Sequence, residues 1–317
     1  METKKNRWLM ALAGVALHIS IGSVYAWSVF TQPLQDKVGW TLSDVSLIFS
    51  IAIFFLGTSA AFMGHFVEAR GPKASGLIST VFFSSGLILS GFAVSIENLW
   101  LLYLGYGVLG GIGLGIGYIT PVSTLVKWFP DRRGMATGLA IMGFGFAAMI
   151  ASPVMGYLID NFGIANTFYI MGVTYFVIML SASLYLERPP EGYHPSGIPL
   201  QEQPKQKKDY VQLTANEAVK TRRFYFLWLM LFINITCGIA ILAVASPMGQ
   251  EVAGLSVKSA AIMVGIMGVF NGAGRLVWAS ISDYIGRPVV QMSIRYILLF
   301  KLSCSRYYHS RRTACYL

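Results

Sequence analysis

Arg275 lies inside the apolar stretch "NGAGRLVWASISDYIGR", residues 271–287, with no charge between it and Lys258. A guanidinium stays ionised, carries five N–H donors in a planar fork and grips a carboxylate through two parallel hydrogen bonds. At the centre of a membrane span it costs about 2.5–3.5 kcal/mol on insertion scales, so such a residue faces a cavity or a partner. Asp283 follows eight residues later, about 12 Å at a helical rise of 1.5 Å per residue. The hydrocarbon half-thickness is about 15 Å, which puts Arg275 well inside, slightly to the cytoplasmic side of the middle. No Asp or Glu lies in the interior of any apolar run of this chain. With no buried carboxylate to neutralise it, the guanidinium suits a ligand's carboxylate. Snorkelling, or a bond to helix carbonyls, is the alternative.

Aromatic residues are the other candidates. His18, Gly22, Tyr25 and Val29 keep helical spacing on one face of the first apolar run, with Trp27 a neighbour, and Tyr118 sits in the glycine-rich fourth. Asn271 lies one turn before Arg275. These residues are expected to line one cavity; an interfacial aromatic belt is the alternative, better suited to Trp27 than to Tyr118. His18 is read first as packed and hydrogen-bonded, and second as a proton relay. Cys237, Cys304 and Cys315 have no metal or redox spacing, and His18, His65, His194 and His309 are scattered. The glycines of "GVLGGIGLGIGYITP" do not fit a nucleotide fingerprint. Gly107, Gly111 and Gly115 recur every four residues, as do Gly113 and Gly117, which allows close helix packing. No triad, metal set or carboxylate pair appears, so no enzyme activity, metal or cofactor is expected.

The elements that must position these residues follow from composition. Hydrophobic residues make up 55% of the 317 and charged residues 12%, with mean hydropathy +0.60, where soluble domains carry about a quarter charged residues. Eight apolar runs, about 8–30, 43–66, 74–94, 99–126, 134–158, 164–186, 224–246 and 259–282, are each long enough for a spanning helix. The chain is thus expected to be an all-α integral membrane protein. "VYA" at 24–26 is a weak cleavage-like site, but the first apolar core is too long for a signal peptide and reads as an anchor that stays.

The net charge of +10 is explained by topology. Lys4, Lys5, Arg7, Arg70, Lys73, Lys127, Arg132, Arg133, the basic residues of 188–223 and Arg287 all fall on one side, against Lys37 and Lys258 on the other. The positive-inside rule then puts the N-terminus in the cytoplasm and leaves no case for nucleic acid as partner.

Composition also divides the chain: six helices in 1–187, a Pro- and Gln-rich cytoplasmic linker over 188–223, two further helices in 224–288, and a basic tail over 289–317. The second pair echoes the first at an offset of 213 to 215 residues, through Pro33 and Pro247, Leu42-Ser43 and Leu255-Ser256, Glu68 and Asp283, and Gly71 and Gly286. Parallel six-helix halves would explain the echo, and the second half would then lack four helices. The tail, with Arg295, Lys301, Arg306, Arg311 and Arg312 and no acid, lacks helical periodicity. Loss of the reading frame near residue 290 is preferred to a native basic tail, giving a truncated product.

Three stretches carry a resemblance: "GSVYAWSVFTQPL" (22–34), "KWFPDRRGMATG" (127–138) and "NGAGRLVWASISDYIGR", supported by "GHFVEARGPK" (64–73) and "ASISDYIGRP". The chain resembles the major facilitator superfamily and, within it, the oxalate/formate antiporter family, over residues 7 to about 289. Pro72 stands where an Arg is usual, and Glu68 takes the acidic place. The resemblance implies a major facilitator-type fold, here a six-helix N-terminal half plus the first two helices of a C-terminal half. It also implies substrate contact by Arg275 and framing of the substrate by Tyr25 and Tyr118. Asn271 occupies the place of the Asp found in proton-linked monocarboxylate carriers, which favours exchange over proton coupling. Asp283 is expected to latch the halves through Arg132 and Arg133 at the start of the fifth helix, with Glu68 in the equivalent place. Solvated topology-marking charges are the alternative.

The function expected is therefore secondary active, alternating-access antiport of small organic anions such as oxalate, formate, pyruvate or lactate. The site comprises Arg275, Asn271, Tyr25, Tyr118, Trp27 and His18, in the plasma membrane, with this chain inactive as truncated. A non-transporting membrane sensor or scaffold is the other expectation, weakened by the lack of a signalling domain.

Overall fold

The computed structural model describes residues 5–190, 193 and 213–285. Within these it is helical, and eight helices are long and apolar enough to cross a membrane: α1 Arg7–Val38, α2 Leu42–Arg70, α3 Pro72–Ser95, α4 Leu99–Trp128, α5 Arg133–Phe162, α6 Ile164–Tyr185, α7 Arg222–Glu251 and α8 Val257–Ile285. The all-α membrane fold expected from the apolar runs is observed. The expectations for residues 289–317 lie outside the described residues.

Local chemistry sets the helix ends. Asn6 caps α1 by accepting the Trp8 N–H at 2.8 Å, and Thr41 and Asp44 form a reciprocal capping box on α2. α2 stops at Gly71, whose φ of 87° lies in the left-handed region open to glycine, and Pro72 starts α3 where a missing N–H costs nothing. Thr221 caps α7 through the Phe224 N–H at 3.3 Å.

Three of the described helices depart from α geometry in ways periodicity alone did not show, α7 by a kink at Val244 (φ -123°, ψ 15°). α1 tightens into a 3-10 segment over Ser23–Phe30, where side chains three apart share a face. α4 widens to a π-helical stretch over Tyr103–Gly110, and Pro121 within it removes one backbone donor.

Glycine decides which helices touch. On α4, a Cβ at Gly107, Gly111 or Gly115 would meet Ile51, Phe55 and Ser59 of α2, while one at Gly113 or Gly117 would meet Phe83 and Ser79 of α3. The four-residue repeat is thus a pair of packing faces. α5 and α8 form the most extensive helix pair. They run antiparallel: Gly138 packs on Ala279, Gly145 on Gly272, Ala148 on Gly268, and Ser152 donates to the Ala261 carbonyl at 2.6 Å. α7 is packed mainly near its C-terminal end, through Leu242, Ala245, Ser246, Pro247 and Gly249, and exposes Phe226, Leu227, Trp228 and Phe232.

Polar ties gather at the end of the bundle where α1 begins. Arg7 pairs with Asp131 at 3.2 Å, Lys5 with Glu187, and Glu68 with Lys127. Arg188 donates to the carbonyls of Val67 and Glu68, closing α2. Among the described residues Glu68 thus pairs with Lys127 inside the first six helices. The reason is proximity, since α2 and α4 both end here. Arg132 and Arg133 are exposed at the start of α5; the Asp283 side chain, the other side of the expected latch, lies outside the described residues.

Candidate functional site

Arg275, half-buried on α8, donates through Nη2 to the Tyr25 hydroxyl at 3.2 Å, and its guanidinium carbon sits 5.8 Å from the centre of the Tyr25 ring. Among the described residues no carboxylate pairs with it; the three ion pairs all lie at the end of the bundle. The charge is therefore partly met by a phenol oxygen and the π-face beneath it, with guanidinium donors still to spare. The Tyr25 oxygen accepts from Arg275, so its own O–H remains to be donated.

Tyr25 is held in place from α5. Its ring meets Phe144 edge-on at 4.7 Å, and Phe144 also meets Tyr118 edge-on at 5.5 Å. Helix approach makes this possible: a Cβ on Gly22 would overlap the Phe144 backbone, so glycine there lets α1 and α5 come close enough for the rings to interlock. Phe144, fully buried, joins α1 and α4 to α5 and escaped the sequence reading. Its only signal is its place between Gly143 and Gly145.

His18 is behind these rings. It is fully buried, stacks on Tyr118 at 5.4 Å and meets Phe144 edge-on at 6.1 Å. Its Nε2 lies 2.9 Å from the Tyr118 carbonyl, and its Nδ1 contacts the Ala140 carbonyl. Both ring nitrogens thus face backbone carbonyls of α4 and α5, and a neutral ring donates its single N–H to one of them. This is the packed, hydrogen-bonded reading, and it positions Tyr118 without presenting a nitrogen to the Arg275 side.

Trp27 is not brought to this group. It is fully buried, donates its indole N–H to the Val45 carbonyl at 3.1 Å, and packs on Tyr106 at 4.3 Å and Phe30 at 5.6 Å. In a 3-10 segment, residues two apart point about 240° apart, so Tyr25 and Trp27 face different neighbours. Asn271 shares the Arg275 side of α8 at i, i+4 spacing, and its Oδ1 is buried with no hydrogen-bond partner.

The arrangement can hold a small anion: one fixed charge, a phenol donor and aromatic walls, within apolar helices. Known proteins can be set beside it. Residues 11–305 match the Major Facilitator Superfamily. The chain is 30% identical over 285 residues to the uncharacterized MFS-type transporter YhjX of Escherichia coli, covering 90% of this chain and 68% of that one. It is 27% identical over 283 residues to the oxalate:formate antiporter of Oxalobacter formigenes, covering 89% and 65%. It is also 26% identical to monocarboxylate transporter 14 of Mus musculus, covering 61% and 38%. The chain thus spans about two thirds of the length of the first two relatives. The crystal structure of a D-xylose-proton symporter shares the fold with a TM-score of 0.59 at 18% identity, covering 87% of this chain and 69% of that one.

Proposed function

We propose that this chain, which belongs to the major facilitator superfamily and is therefore a multi-pass membrane transporter and not an enzyme, carries small organic anions with Arg275 as the carboxylate anchor. The observation that carries this reading is the Arg275–Tyr25 pair: a guanidinium in the bundle whose described partner is a neutral hydroxyl. Charge in a low-dielectric site is costly without a counter-ion. A carboxylate substrate supplies one, accepts two guanidinium N–H bonds and can take the Tyr25 O–H as a third. Tyr118 and Phe144 form the aromatic wall, and His18 holds that wall between α4 and α5.

Similarity to an oxalate:formate antiporter and to a monocarboxylate transporter supports oxalate, formate, pyruvate or lactate as substrate class. We place the chain with the oxalate/formate antiporters. Asn271, one turn from the anchor, cannot exchange a proton, so antiport of one carboxylate for another is favoured over proton symport. The six helices up to residue 187 and the pair α7–α8 belong to two halves that rock about the anchor. The backbone register also supports a latch. With Ala279 packed on Gly138, one more antiparallel turn brings residue 283 level with residue 134, beside Arg132 and Arg133. Basic loops at the N-terminal end favour a cytoplasmic N-terminus in the plasma membrane.

The reading is tested by competition binding on the chain reconstituted in lipid nanodiscs with labelled oxalate. Oxalate, formate and pyruvate should compete, and the neutral isosteres oxamide and pyruvamide should not. Equal competition by the amides would contradict a charge-selective site.

A further inference from the structure

A cavity of about 530 Å³ opens at the end of the bundle where α1 begins, between the start of α1, the α2–α3 turn and the end of α6. Lys5, Arg70, Lys73 and Arg188 line it, with Glu187 as its one carboxylate. These cations come from three separate stretches of the chain. A rule that keeps positive charge on one side of a membrane does not gather it into one hollow. The acids at this end are engaged elsewhere: among the described residues Asp131 pairs with Arg7, Glu68 with Lys127 and Glu187 with Lys5, which leaves Arg70 and Lys73 without a carboxylate. Arg188 is held by donating through Nη2 to the Val67 and Glu68 carbonyls, and it lies so close over Gly71 that a Cβ there would be 3.5 Å from its Nε. Its guanidinium still has donors to spare. Three cations without a counter-ion thus line one hollow, a donor set suited to phosphate oxygens.

A second hollow shows what kind of phosphate fits. A groove of about 440 Å³ runs between α1 and α6, with Leu9, Leu12 and Ala16 on one side and Val177, Ser181 and Tyr185 on the other. Leu12 and Val177 are exposed, so the groove is open to the bilayer. The Ser181 hydroxyl is taken up by the Val177 carbonyl at 2.8 Å, which leaves the walls apolar. From Tyr185 to Val177 the groove follows α6 for roughly 12 Å at 1.5 Å per residue. Tyr185 joins the two hollows: Lys5 donates to its carbonyl at 3.4 Å and sits 5.3 Å from its ring centre. Leu186 and Glu187, next in the chain, already line the basic cavity. A basic hollow at the helix ends that continues into an apolar, bilayer-facing groove matches an amphiphile.

We infer that the two hollows together bind one anionic phospholipid, its phosphate among Arg70, Lys73 and Arg188 and an acyl chain along the α1–α6 groove. Arg188 supplies a planar fork to the phosphate, and Arg70 and Lys73 reach it from the exposed rim. A headgroup of net negative charge is favoured, because the ammonium of a choline lipid would be set among cations that have no counter-ion. Burial of the acyl chain against the groove adds the apolar part of the affinity, which a soluble phosphate cannot gain.

The test is native mass spectrometry of the full chain in detergent, titrated with phosphatidylglycerol or phosphatidylcholine of identical acyl chains. Phosphatidylglycerol should bind roughly tenfold tighter to the wild type, as expected for cations beside an anionic headgroup. Arg70→Ala combined with Lys73→Ala should bring the two lipids close to equal. Arg222→Ala combined with Arg223→Ala, which removes as much exposed charge at the start of α7, should keep the preference. Ser181→Trp, which fills the groove from its exposed side, should weaken phosphatidylglycerol binding. Equal binding of both lipids by the wild type, or a preference that survives loss of Arg70 and Lys73 or falls as far in the Arg222 and Arg223 control, overturns the proposal. Displacement of the lipid by an equal concentration of glycerol 3-phosphate, or wild-type lipid binding by Ser181→Trp, overturns the lipid as occupant, the first in favour of a soluble phosphate.

Discussion

The guanidinium of Arg275 donates to the hydroxyl of Tyr25 at 3.2 Å, joining α8 to α1. An exposed pair of this kind would be worth little. Inside an apolar bundle it fixes the direction of a charge and leaves both groups with donors for an anion.

Tyr25→Phe keeps the ring against Phe144 and removes only the hydroxyl. Carboxylate affinity should fall roughly 5- to 30-fold, the worth of one or two kcal/mol for a hydrogen bond to a charged group, while thermal unfolding in detergent moves little. Isothermal titration and a melting curve read the two effects separately.

His18→Phe preserves aromatic packing but removes the one imidazole N–H, which is donated to either the Ala140 or the Tyr118 carbonyl. A helix carbonyl left short of a partner in an apolar interior should cost about 1–3 kcal/mol, seen as a lower melting temperature. His18→Gln, which can still donate to one carbonyl, should recover part of it. A phenylalanine variant as stable as wild type would show that the imidazole is not a structural tie.

Gly145→Val tests the close approach of α5 and α8. A Cβ at Gly145 would overlap the Gly272 backbone, so the helices must separate, at about 1–3 kcal/mol for overpacking. Because Gly272 lies between Asn271 and Arg275, the same change should weaken carboxylate binding. Gly57→Val, where a Cβ meets nothing within 4 Å, is the control and should leave both stability and binding near wild type.

Glu68→Gln breaks the exposed pair with Lys127. Such pairs contribute about 0–1 kcal/mol, so the melting temperature should change by no more than that allows. A larger loss would mean that Glu68 anchors α2 and α4 more strongly than an exposed ion pair can.

Much of this was legible in the sequence, for identifiable reasons. The eight spans follow from apolar runs whose length the hydrocarbon thickness dictates, and the glycine faces of α4 from their spacing. Arg275 and Tyr25 were both picked out, the first by charge and the second by helical phase. Trp27 was included only as a sequence neighbour of the Tyr25 face: two residues from Tyr25 it points about 160° away in an α-helix and about 120° away in the 3-10 segment, so either geometry turns it from Tyr25. Phe144 stayed hidden because a phenylalanine among small apolar residues looks like any packing residue until its three ring partners are seen. The Glu68–Lys127 pair was not legible because sequence order does not reveal that α2 and α4 end side by side.

The central claim is that Arg275 holds the substrate carboxylate, and equilibrium binding of labelled oxalate to wild type, Arg275→Lys and Arg275→Ala in nanodiscs tests it most directly. The account predicts that Arg275→Ala loses at least roughly 100-fold in affinity, as expected for a buried charge-assisted pair. Arg275→Lys should fall in between, because an ammonium keeps the charge but not the two-point fork. Oxalate bound by a folded Arg275→Ala chain with wild-type affinity would contradict it.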